Sequence, residues 1–134
     1  MRLGAPVFGT GNAEEWAAAH VRKGYGATYW PLGEGAADAE VDAYVDAAKR
    51  HGLAIAEVGV WNNVLDPIPE RREANIRYAI ARLRTAERVG ARCCVNISGS
   101  LSDQWDGPHP GNLTDETFRR VVETTRRIID AVNP

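Results

Sequence analysis

Hydrophobic positions along the chain switch regularly between two periods. Apolar runs at 2–8, 27–32, 53–60 and 93–99 have the length of strands. Each is followed by a stretch in which apolar residues recur every three or four positions, the spacing of one helix face. The first such stripe is Ala13, Trp16, Ala17, His20 and Gly24, and the second is Val41, Tyr44, Val45 and Ala48. The third is Ile76, Ala79, Ile80, Leu83 and Ala86; the fourth is Phe118, Val121, Val122, Thr125, Ile129 and Val132. The strand runs at 53–60 and 93–97 are apolar without clean alternation, as strands covered on both faces are.

Helix-end signals fall where these stripes begin and stop. Asn12 with Glu15 has the form of a capping box. Thr114 stands before Asp115 and Glu116, which places acids where the helix dipole favours them. Gly24, Gly52 and Gly90 each close a helix just before the next strand, as a left-handed terminal residue would. The pattern predicts an α/β fold of four consecutive parallel βα units, with helices packed outside the sheet. A dinucleotide-binding fold would need G-x-G-x-x-G at the first strand–helix turn. Gly9-Thr10-Gly11 is followed by Asn12, Ala13 and Glu14, so the third glycine is missing, and no phosphate loop of the G-x-x-x-x-G-K type appears.

Composition narrows the function more than the fold. The 134 residues, 44% hydrophobic and 25% charged, fit one globular domain over 1–134. Sixteen Lys and Arg against eighteen Asp and Glu give a net charge of -2, without the basic excess that nucleic-acid binding leaves. Arginines on the third and fourth helices are interspersed with Glu73, Glu87, Glu116 and Glu123, the mark of a solvated face. Met1 to Thr10 carries no signal-peptide pattern and no segment has the length of a membrane span, so a cytoplasmic protein without a membrane partner is expected. Adjacent Cys93 and Cys94 read as reduced core thiols rather than a disulfide pair.

Long connections follow the third and fourth predicted strands, at 61–69 and 99–113. Both join a strand to a helix, and in a barrel such loops form the catalytic face. Trp61 and Asn62 end the third strand, and Asn96 and Ser98 lie at the end of the fourth. Gln104, Trp105 and His109 follow in a polar and aromatic loop. An indole there suits an apolar ligand face and an amide suits polar ligand groups. The alternatives are a packing tryptophan, a turn asparagine and a solvent-exposed histidine. Trp30, His20 and His51 read as structural, and Glu57, a lone acid in an apolar strand, calls for a basic partner.

Val58-Gly59-Val60-Trp61-Asn62-Asn63, the helix from Arg71 to Gly90, and Asn96-Ile97-Ser98-Gly99 resemble the xylose isomerase-like family of sugar phosphate isomerases and epimerases. Asp103-Gln104-Trp105-Asp106-Gly107-Pro108-His109-Pro110 is similar to a branch that processes oxidised sugars and C-glycosides. The resemblance implies a TIM (β/α)8 barrel, of which these residues form the N-terminal (β/α)4 half. It implies a divalent metal (Mn, Mg, Co or Zn) for the full barrel, held by ligands from the other half, with none expected on this chain alone. It implies proton abstraction next to a sugar carbonyl, the metal stabilising the enediolate. Two alternatives stand beside that reading: a lyase that eliminates the aglycone of an oxidised C-glycoside, and a non-catalytic half-barrel module. An unclosed sheet leaves apolar edges, so either a homo-oligomer or a missing C-terminal half is expected to complete it.

Overall fold

The computed structural model describes residues 1–133. Its elements, in chain order, are α1 (Ala13–Arg22), β1 (Ala27–Tyr29), α2 (Asp38–Arg50), β2 (Ala54–Val60), α3 (Pro69–Val89), β3 (Cys93–Asn96) and α4 (Asp115–Asp130). A short 3-10 turn at Pro110–Leu113 precedes α4. The strands form one sheet in the order β1-β2-β3, with β1 and β2 parallel. Thr28 pairs with Ile55 and Tyr29 with Glu57, so the register slips past Ala56. Two compact units divide the chain: Met1–Gly59 with Thr85–Cys94, and Val60–Arg84 with the chain from Val95 onward.

The four predicted βα units are present in part, because the first predicted strand does not form. Residues 2–8 contribute a single parallel bridge, Gly4 to Ala27, where the Leu3 carbonyl accepts from Gly26 N (2.9 Å) and Ala27 N (3.2 Å). Gly4 packs so tightly on Ala27 that a Cβ would meet the Ala27 carbonyl oxygen at 2.5 Å. Pro6, two residues on, has no N–H to continue a ladder. The run at 27–32 shortens to Ala27–Tyr29, just before Pro31, and that at 93–99 to Cys93–Asn96.

The helix ends follow their sequence signals. Asn12 Oδ1 accepts from Glu15 N at 2.9 Å, while the Glu15 carboxylate accepts from Gly11 N rather than from Asn12. Gly24, Gly52 and Gly90 all have positive φ (76°, 67° and 67°). After each, the next N–H returns five residues into the helix: Tyr25 to His20, Leu53 to Ala48 and Ala91 to Ala86. This is one termination motif used three times, and it launches each strand from the same geometry.

The core of the first unit gathers Trp16, Ala17, Trp30, Val41, Ala47, Ala48, Leu53, Ile55, Val58 and Val89. His20 is fully buried but satisfied: Nδ1 donates to the Trp16 carbonyl (2.8 Å) and Nε2 meets the Thr28 hydroxyl (2.8 Å). That bond points Thr28 toward α1 and leaves Tyr29 and its neighbour Glu57 on the opposite sheet face. Glu57 is half-buried, and no ion pair reaches it among the described residues, so the basic partner expected for it is not found. His51 bonds the Glu14 carboxylate at 2.6 Å, beside Arg50.

The second unit buries Val64, Leu65, Ile76 and Ala79, together with the polar Asn63, Asp66 and Ser100. Its α4 departs from expectation. Thr117 and Ile128 are its buried residues, whereas Phe118 is 68% exposed and Ile129 48%. The predicted apolar stripe exists on the helix, but nothing among the described residues covers it fully.

Candidate functional site

Loop 61–68 leaves the C-terminal end of β2, and loop 97–114 leaves that of β3. Asn63 fastens one to the other. It is buried, its Nδ2 donates to the Ser100 carbonyl (2.7 Å), and its Oδ1 accepts from Ser100 N (2.9 Å) and Leu65 N (3.0 Å). Its own carbonyl accepts from Asn75 Nδ2 on α3 at 2.7 Å. One amide thus imitates a strand pairing between segments that form no ladder. Gly99 makes the approach feasible. Its φ is +88°, and a Cβ there would collide with Asn63 Oδ1 and lie 3.0 Å from Leu65 N.

Loop 97–114 is braced from within. The Ser100 hydroxyl donates to the Gly107 carbonyl (2.6 Å) and accepts from Ser102 N (3.1 Å) and Asn112 Nδ2 (3.0 Å). Asn112 Oδ1 accepts from Leu101 N at 3.0 Å. Asp66 anchors the other loop, accepting at Oδ1 from Ile68 N (2.9 Å) and from the Arg71 guanidinium (3.0 Å). Pro69 then opens α3, where its missing N–H is no loss.

The seven sequence-predicted residues all belong to this second unit, and the braces present most of them to solvent. Trp61 is 60% exposed and Trp105 46%; Asn96, Ser98, Gln104 and His109 are exposed as well. Asn62 is half-buried and turns its Nδ2 toward Asn75, 3.3 Å from the carbonyl, while its Oδ1 is buried without a hydrogen-bond partner. Gln104 Nε2 donates to Asp106 Oδ1 at 3.1 Å. His109 caps the 3-10 turn: its Nδ1 accepts from Gly111 N at 3.1 Å, which leaves the ring proton on Nε2.

Chemically, the exposed side chains are two indoles, an imidazole with its N–H on Nε2, and small hydroxyl and amide groups. Among the described residues no group of three His, Cys, Asp or Glu side chains converges as a metal ion requires, so no step is routed through a metal here. The residues overlooked by sequence reasoning are Asn63 and Ser100, which bond loop to loop, and Asn112, which braces loop 97–114 from within. The signal for the first two was the positive-φ glycine between two polar loops, and it is readable only once the loops meet.

Among the described residues no helix is long and apolar enough to cross a membrane. No family model matches the sequence, and no curated protein matches it either. Solved structures do match. The crystal structure of the 3-keto-D-glucoside 4-epimerase from E. coli superposes with a TM-score of 0.72 at 16% identity, over 98% of this chain and 51% of that one. A xylose isomerase domain protein from Planctomyces limnophilus gives 0.65 at 8% identity, over 98% of this chain and 50% of that one. The likeness is one of fold: the chain has the architecture of half of a xylose isomerase-like barrel, and spans about half the length of both proteins.

Proposed function

We propose that this chain supplies substrate-contacting loops of a sugar isomerase or epimerase barrel, acting on a keto sugar of the kind that the E. coli neighbour's name describes. The observation that carries the reading is the pairing of that half-barrel fold with two long βα loops that are rigidly braced yet expose Trp61 and Trp105. Loops at the C-terminal ends of parallel strands are where such barrels bind ligands. Trp61 and Trp105 offer faces for the C–H side of a sugar ring, and Gln104, Asn96, Ser98 and His109 Nε2 offer bonds to its oxygens. The chemistry of this class moves a proton from the carbon beside a carbonyl. We place its base, and any divalent metal, outside the described residues, so this chain's part is to bind and orient.

Titration with a 3-keto-glucoside, followed by tryptophan emission, tests the reading. A saturable change is expected, lost in Trp105→Ala and weakened in His109→Ala. Equal responses from wild type and from Trp105→Ala and Trp61→Ala would sink it, as would no response at all. In a complete barrel, elimination from an oxidised C-glycoside would show in the products as a released aglycone. A second reading, an assembly module that pairs with a copy of itself, is favoured by the exposed Phe118, Ile129 and Leu113.

A further inference from the structure

A solvent-open cavity of about 570 Å³ lies in the first unit, away from the loops just described. The C-terminal turns of α2 and α3, the start of β2 and the residues leading into β3 line it. Its lining is mixed: Val45, Ala54 and Ala91 contribute half-buried apolar surface, and Arg2, Lys49 and Arg92 bring positive charge with no acidic side chain beside them. The bland reading is that cations sit here to neutralise helix C-termini. Backbone bonds already take one carbonyl near the end of each helix: Leu53 N returns to Ala48 and Ala91 N to Ala86, both at 2.9 Å. Arg2 spends Nη1 on the Gly26 and Gly52 carbonyls, which leaves its other guanidinium N–H groups open. Lys49 reaches Asp46 only at 3.9 Å with both side chains mostly exposed, and no ion pair involves Arg92 among the described residues. Three cations lining one hollow, with no carboxylate in that lining, repel one another, an arrangement that an anion relieves.

We propose that this cavity binds a small molecule with a dianionic head, such as a phosphate monoester, and an apolar body. The volume falls within the range of small-ligand pockets, between about 300 and 1,000 Å³. Guanidinium groups suit a phosphate by their fork of donors, with lysine as a point charge. The apolar body would lie against Val45, Ala54 and Ala91.

Calorimetric titration of the full chain with phenyl phosphate, inorganic phosphate and phenol tests both halves of the proposal. Phenyl phosphate is expected to bind most tightly, more weakly in high salt, and with at least about a tenfold loss in Arg92→Glu. Lys49→Glu is expected to weaken it as well. Arg22→Glu, on α1 and outside the cavity, is expected to change nothing. Because all three positions are exposed, circular dichroism should show each variant folded. Absence of phenyl phosphate binding at millimolar concentration would overturn the proposal. So would unchanged affinity in Arg92→Glu, or equal affinity for phosphate with and without the phenyl ring.

Discussion

The Asn63 side chain joins the two long loops of the second unit through buried hydrogen bonds. Replacing it with alanine strands the N–H groups of Leu65 and Ser100 and the carbonyl of Ser100. The expected cost is about 2 to 4 kcal/mol, read from urea unfolding, because buried groups left unbonded lose their hydration without recompense. Gly99→Ala should cost about 2 kcal/mol or more, from its left-handed φ and the collision with Asn63. If Gly99→Ala unfolds at the wild-type urea midpoint, the two loops are not held as described. Both fall in segments that carry the family resemblance, yet nothing in the sequence says that the two meet. Trp61, Trp105 and His109 stand out there, because position after a strand and chemical type already mark them, and the structure leaves all three exposed.

Between elements, ion pairs link helices within each unit. Arg88 at the end of α3 bonds Asp38 and Asp42 of α2, and Arg127 of α4 clasps Glu73 of α3 with two bonds of 2.8 and 2.6 Å. The Arg127 bond holds the Glu73 carboxyl below its usual range, and Arg50 followed by His51 does the same for Glu14. A carboxyl whose folded pKa is depressed contributes stability above its unfolded pKa and loses it as pH falls through the folded value. Thermal unfolding of Glu73→Gln should therefore lie slightly below wild type at neutral pH and converge with it in acid. A gap that persists at the lowest pH would show that the pair acts by packing and not by charge. Such pairing is exposed, so its effect is small and shrinks in salt. The helices themselves were legible from the 3.6-residue stripes. Their partners were not, since a charged residue on an outer face carries no mark of what it will meet.

At the scale of the whole molecule, the exposed stripe on α4 invites a solution measurement. Phe118 and Ile129 lie on one side of α4, eleven residues and about three turns apart. If copies of the chain pair through this helix, light scattering should give twice the chain mass, and Phe118→Ser with Ile129→Ser should return it to one. A wild-type mass of one chain at high concentration would count against pairing. Phosphate-ester binding, by contrast, should be indifferent to this double substitution, because the cavity belongs to the first unit.

The sequence by itself determined the order of the four helices and of the three strands from Ala27 onward, the three glycine-ended helices and the position of the long loops. Each of these depends on neighbours within one turn or one strand: a stripe, a cap, a left-handed residue. Only the tertiary structure decided that residues 2–8 give a bridge instead of a strand, and that the α4 stripe stays open. It also decided that Asn63 ties two loops together and that Arg2, Lys49 and Arg92 gather around one hollow. Those outcomes turn on pairs of residues far apart in the chain. Their free energy comes from burial and from hydrogen bonds that exist only after the backbone has closed around them.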